Sequence, residues 1–352
     1  MRLMKRLGCV LLWSLWALAF VAPLRAQFSD DNVIKMPPGR AAWRHEDSGL
    51  LLPHQLGALS LEVGFRYKEA ALGVQIRYLE RTLGIKADVY VYPCPGKTDS
   101  EDVTRKTLVT EMGNVLGEIQ MVVKQGDYRN AEFGKGVTYT IPVGERQMPV
   151  VEAPIQFERV DREHPEVEPI QLNSFAVLTF YNGQFVKLRC TYARSAEDKV
   201  KPVRETFVKE WLRCVTDSAK GQQVRDWIRD YRQDPLSPEA LGAAAQVVDF
   251  AVKTPLVEFA VGSSVSKLAE KIGGQDTKKL LMGAMIVGAT DAALKAQPMD
   301  KVVQSAVGAV RKWCEAWKKL HPDFEIPSLS DFAEGVKKEN QVGPTAEDKS
   351  SI

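Results

Sequence analysis

The chain has 352 residues, 45% of them apolar, and 47 Lys and Arg stand against 45 Asp and Glu. Arg2, Lys5, Arg6 and Arg25 fall in the first 26 residues with no acid beside them, so the rest balances 43 bases against 45 acids, a net −2. That balance excludes a bulk electrostatic case for nucleic acid or anionic lipid, and the length exceeds what one hydrophobic core usually organises, which predicts two domains.

Residues 1–26 read as a secretory signal peptide. Arg2, Lys5 and Arg6 form a basic start, Val10 to Val21 an apolar stretch, and Leu24-Arg25-Ala26 a cleavage site. Export predicts a periplasmic or secreted protein and weakens readings that need ATP, a nicotinamide cofactor or chromosomal DNA. Cys9 precedes most of the apolar stretch, the wrong order for a lipid anchor. Left uncut, the segment would be an N-terminal anchor, but it is short for a span. Residues 27–57 hold Pro37-Pro38-Gly39, Pro53 and Gly57 without periodicity and read as an extended leader or strap.

Residues 58–220 read as an α+β domain. Leu59, Leu61, Val63, Phe65 and Tyr67 alternate with mostly polar residues, as do Val74, Ile76 and Tyr78, and Ala87 to Tyr92 forms a third strand stopped by Pro93. Leu108, Met112, Val115, Leu116 and Ile119 recur at helical spacing, with Ser100 or Thr104 as cap. Val137 to Val143 predicts another strand, and Ile155 and Phe157 open the next. Asn182-Gly183 between two β-rich runs predicts a type I′ hairpin, because both turn positions need positive φ. On its second strand Val186, Leu188, Cys190 and Tyr192 share one face, and Lys187, Arg189 and Thr191 the other. A helix with Phe207, Val208, Trp211, Leu212 and Val215 on its stripe follows, with Cys214 beside that stripe. A sheet–helix disulfide between Cys190 and Cys214 is geometrically reasonable; two free buried thiols are the alternative.

The order β-β-β-α-β-β-β-β-α over residues 59–218, with its late strand–hairpin–helix block, resembles the Mog1/PsbP-like α/β/α sandwiches. The resemblance covers element order and no residue-level motif, so it carries over no active residue. It implies a small binding or assembly factor.

Residues 221–236 read as a linker helix or loop ending at Asp234-Pro235-Leu236-Ser237-Pro238, and 237–336 as an all-α domain. Ser237 would cap a helix opening at Pro238. Further helices are expected over Leu256 to Ile272, Thr277 to about Lys295, and Met299 to Leu320, the last with a Val303, Ala306, Val310, Trp313, Trp317 stripe. High Ala and Gly content predicts closely packed helices. No apolar run after the signal is long enough for a transmembrane span. Residues 337–352 read as a polar tail.

Candidate chemistry is sparse. Gly96-Lys97-Thr98 resembles the end of a phosphate loop, but Val91 stands where that motif needs glycine, and Pro93 and Pro95 remove backbone donors. Ser264-Val265-Ser266-Lys267 fits a Ser-x-x-Lys pattern in which one helical turn sets an amine beside a hydroxyl, the motif of a periplasmic serine hydrolase acting on envelope material. A solvent-open Ser264 would favour that enzyme and a buried one would end it. The acidic run Glu152, Glu158, Asp161, Glu163, Glu166 and Glu168 reads as a loop with weak cation affinity or none. His45, His54, His164 and His321 are scattered, and neither they nor the cysteines form a metal set, so no metal and no cofactor is expected. Tyr67, Tyr78, Tyr90 and Tyr92 sit on neighbouring strands and are the ligand-binding candidates, against the alternative that a helix covers them. The expected fold is α+β, an antiparallel sheet with packed helices followed by an all-α helical domain. The expected function is an exported noncatalytic binding or assembly protein of the bacterial envelope, its partner an envelope protein or small ligand, held on the tyrosine face or in a cleft between the domains. A purely structural module is a further alternative.

Overall fold

A computed structural model describes residues 32–34, 42–96, 100–144, 146–164, 166–273 and 275–341. The signal segment 1–26, Lys97 and Thr98 of the phosphate-loop-like turn, and residues 342–352 lie outside the described residues. In chain order the strands are β1 (Val33–Ile34), β2 (Ala42–Arg44), β3 (Leu51–Pro53), β4 (Gln55–Leu56), β5 (Leu59–Arg66), β6 (Val74–Glu80), β7 (Ile85–Pro93), β8 (Tyr128–Phe133), β9 (Val137–Val143), β10 (Arg146–Arg159), β11 (Ile170–Tyr181) and β12 (Gln184–Ala193). The helices are α1 (Glu101–Lys124), α2 (Glu197–Gln233), α3 (Pro238–Lys253), α4 (Ser263–Ile272), α5 (Gln275–Ala293), α6 (Met299–Leu320) and α7 (Ser330–Gln341).

The chain divides into two compact units. One holds β1 and Gly57–Phe207; the other holds β2 to β4 and the chain from Val208, so the division falls within α2. This is the expected antiparallel sheet with packed helices, followed by a helical domain.

In the first unit the sheet runs β1-β5-β6-β7-β12-β11-β10-β8, with β9 paired along the other half of β10. All these pairings are antiparallel. The β11–β12 hairpin turns at Asn182 and Gly183, whose φ values of 44° and 77° meet the type I′ requirement. Strand alternation gives the sheet two faces. One carries Ile76, Tyr78, Val89, Leu188 and Cys190, all fully buried. The start of α2 lies over this face, where Phe207 meets the Tyr78 ring edge-on at 5.5 Å.

The opposite face is covered over β10 and β11 by α1, whose Leu108, Met112, Val115 and Ile119 pack on Val151, Ile155, Phe157 and Leu178. Ser100 starts α1, its hydroxyl accepting from Val103 N at 3.3 Å. Helices on both faces make the sandwich that the element order implies. Two local expectations change, and one strand is new. β10 begins at Arg146, so Ile155 and Phe157 lie near its end. A register shift between Leu61 and Val63 breaks the even alternation read along β5. β8 had no sequence expectation, because its Tyr128–Phe133 run is mostly polar.

In the second unit α2 continues to Gln233, so residues 221–233, read as a linker helix or loop, are helix; Val224, Ile228 and Tyr231 supply a buried stripe. Ser237 caps α3, accepting from Ala240 N at 3.2 Å. α5 and α6 approach closely: a Cβ on Gly288 would lie 2.4 Å from the Ser305 carbonyl oxygen. Part of the expected leader is packed, since the β2–β3 hairpin and the fully buried Leu50, Leu52 and Leu56 belong to this unit. The expected tail starts too early. α7 runs to Gln341, with Phe332, Val336 and Asn340 buried at four-residue spacing. No helix among the described residues is long and apolar enough to cross a membrane.

Candidate functional site

The part of the sheet face beside α1 that its apolar stripe leaves uncovered is polar. Register sets Gln75 on β6 opposite Tyr90 on β7, and Tyr90 opposite Lys187 on β12; Arg77, Asp88 and Arg189 form the next row. These are central strands, where polar side chains are retained only with partners. Most have them. Tyr67 donates through its hydroxyl to Gln75 Oε1 at 2.8 Å, and Gln75 Nε2 donates to Asp88 Oδ1 at 2.8 Å. Arg77 Nε reaches the same oxygen at 2.8 Å, and Lys86 Nζ lies 3.3 Å from Asp88 Oδ2. Gln75 and Asp88 are 1% and 3% exposed.

Helix α1 borders the cluster with Glu111, Asn114 and Glu118, a stripe beside its apolar one. Tyr92 donates to Glu111 Oε1 at 2.8 Å, and Asn114 Nδ2 donates to Glu111 Oε2 at 3.0 Å. Arg189 Nε donates to Ser174 Oγ at 3.2 Å, and its guanidinium lies over Phe157 and Tyr128.

Lys187 is the exception. It is 7% exposed. Its ammonium sits 4.6 Å from the Tyr90 ring centre and 5.4 Å from that of Tyr92, and it donates a hydrogen bond to no described residue. Burial lowers its pKa, Glu118 and Glu111 oppose that, and Arg189 adds to it. Burial likewise raises the Glu118 carboxyl, which has no hydrogen-bonding partner among the described residues. Tyr90 and Tyr92 are half-buried, and burial holds both hydroxyls well above the ordinary tyrosine range.

Of the four candidate tyrosines, three gather here: Tyr67, Tyr90 and Tyr92. Tyr78 lies on the opposite sheet face, fully buried against Phe207. Strand parity separates it, because Tyr78 pairs with Ala87 while Gln75 pairs with Tyr90. Sequence reasoning placed Lys187 on the correct face without marking it as a candidate. The available signal was a lysine in the middle of a β-rich run, one residue from a fully buried Leu188.

The other candidate residues part company. Ser264 is 8% exposed, and its backbone N–H and hydroxyl both donate to Glu339 Oε1, at 2.9 and 2.8 Å. Lys267 is exposed on the same helix. A hydroxyl buried under a carboxylate, with the amine turned to solvent, is not a nucleophile–base pair; Glu339 of α7 caps the start of α4 instead. Cys190 and Cys214 are both buried free thiols, so the disulfide is not formed. Cys190 lies in the sheet and Cys214 on the part of α2 that belongs to the helical unit. The acidic run is not one loop. Glu152 and Glu158 lie in β10, and Glu158 accepts from Arg129 Nε at 2.7 Å. No group of three metal-ligating side chains occurs among the described residues. The helical unit carries a surface groove of about 490 Å³ lined by Val307, Arg311, Glu315, Ile326, Leu329 and Ala333, in which Arg311 and Glu315 are exposed.

No family model matches the chain, and no curated protein matches it. Solved structures similar to it include the two proteins that give the expected sandwich its name. Cyanobacterial PsbP (CyanoP) from Synechocystis sp. PCC 6803 is 18% identical over 50% of this chain and 95% of its own, with a TM-score of 0.33. The Ran-binding protein Mog1p of Saccharomyces cerevisiae is 9% identical over 50% of this chain and 92% of its own, at 0.25. A Pseudomonas aeruginosa protein of unknown function, PA94, is 12% identical over 47% of this chain and 91% of its own, at 0.23. The scores are low, and no function or site residue passes from these proteins to this chain.

Proposed function

We propose that this chain is an exported, noncatalytic binding or assembly protein of the bacterial cell envelope, and that it holds its ligand on the polar sheet face bordered by α1. The observation that carries the reading is the pairing of half-buried aromatic rings, Tyr90 and Tyr92, with a buried lysine that donates a hydrogen bond to no described residue. Aromatic anchors beside a desolvated polar group are the usual make-up of a binding hot spot. The periplasmic or secreted location rests on residues 1–26, and the reading calls for no cofactor.

The test is capture from bacterial envelope extract by immobilised protein, compared with a Tyr90→Ala/Tyr92→Ala variant whose fold is checked by circular dichroism. Material retained by the wild type and lost by the folded variant is expected. Equal retention by both, or none by either, would contradict the proposal.

A further inference from the structure

What the tyrosine face holds can be narrowed, on the reading just given. Among the described residues, each cation of this face but one has a hydrogen-bond or ion-pair partner. Arg77 and Lys86 are spent on Asp88, and Arg189 bonds to Ser174. Glu111 is taken by Tyr92 and Asn114. Lys187 alone, more than nine-tenths buried, points its ammonium at ring faces and at no oxygen of a described residue. An ammonium has three donors and no acceptor. Ring faces offset part of its charge, but they accept none of its hydrogen bonds in the way an oxygen does.

We infer that Lys187 anchors a small monocarboxylic acid with a flat apolar body, the carboxylate accepting from the ammonium and the body lying on the exposed part of the half-buried Tyr90 and Tyr92 rings. Neighbouring charge selects the class. Glu111 and Glu118 border Lys187, which favours a ligand of low negative charge. A phosphate monoester, near −2 at neutral pH, would leave a second charge beside Glu111 and Glu118. The planar rings favour a planar partner over a branched one.

Benzoate is the probe, used with the full chain in isothermal titration, with benzamide as its uncharged counterpart and the blocked dipeptide acetyl-Ala-Phe as a peptide C-terminal source of carboxylate. Benzoate binding is expected, weakened about tenfold or more in benzamide and in Lys187→Met, as loss of a charged hydrogen bond implies. In a second measurement on the wild type alone, benzoate should slow acylation of Lys187 by an amine-reactive reagent, read by peptide mass spectrometry; this holds even where Lys187→Met fails to fold. Equal binding of benzamide, binding of the peptide without benzoate, or no protection of Lys187 would overturn the inference. Tyrosine-dependent capture from envelope extract without benzoate binding would remove the carboxylate claim and leave the binding face standing.

Discussion

Gly73 shows how narrowly one residue is specified. Its φ is +64°, and a Cβ there would lie 1.9 Å from the Val91 carbonyl oxygen. Both the left-handed backbone and the neighbouring strand exclude any other side chain. Gly73→Ala should cost about 3 kcal/mol or more, read as a shift in the urea midpoint. Gly113 on α1 is the contrast, since a Cβ there meets nothing within 4 Å. Gly113→Ala should stabilise by about 0.5–1 kcal/mol through helix propensity. A destabilised Gly113→Ala, or a neutral Gly73→Ala, would contradict these placements. Lys187 adds a pH signature. Its pKa is lowered by burial from the ordinary 10.5, so the folded chain holds that proton less readily than the unfolded one. The penalty for the buried charge is fully present below the lowered pKa and is relieved as pH rises through it toward 10.5. This residue's contribution to stability therefore rises with pH across that alkaline window. Lys187→Met should remove the rise in denaturation curves taken at successive pH values; an unchanged profile would mean that the lysine is solvated.

At the level of elements, α7 is held by side chains as much as by its apolar stripe. Asn340 accepts from Ala260 N at 2.8 Å and donates to Ala260 O at 3.1 Å, replacing a sheet-like pairing for a buried irregular segment. Asn340→Leu should leave both backbone groups unpaired and cost about 2–4 kcal/mol, measurable by thermal unfolding; a change within the error of the wild type would show that water substitutes freely. α7 also marks where the sequence was hard to read. Ser330–Gln341 has few apolar residues, and its third anchor is an asparagine, so periodicity alone ends at Val336. The same logic hid β8, and left helix or loop open for the chain past residue 220, where charged residues outnumber the buried Val224, Ile228 and Tyr231. Elements with a local chemical signal were legible. Asn182-Gly183 predicts its hairpin, Ser237-Pro238 its helix start, and Met299–Leu320 has the bounds expected from its stripe.

At the scale of the whole molecule, burial holds three of the four described thiols away from solvent. Burial pushes the Cys190 thiol up to about 12 and the Cys314 thiol up to about 11, and it also raises Cys94 and Cys214. Alkylation under non-reducing denaturing conditions should modify Cys94, Cys190, Cys214 and Cys314 completely, while the native protein should react first at the half-exposed Cys94. A Cys190–Cys214 linked peptide would contradict the free thiols. The candidate site was only partly legible for a related reason. Strand parity in the sequence groups Tyr90 with Tyr92 and Lys187 with Arg189, but only the β7–β12 pairing brings those two sets onto one face, and pairing between strands about 95 residues apart leaves no mark in either. The central claim is that this face is the ligand site. Its most direct test is nuclear magnetic resonance of the whole chain, with lysine and tyrosine labelled, during addition of envelope extract. The account predicts that the earliest and largest shifts fall on Tyr90, Tyr92 and Lys187. Shifts confined to other lysines and tyrosines, with these three unmoved, would contradict it.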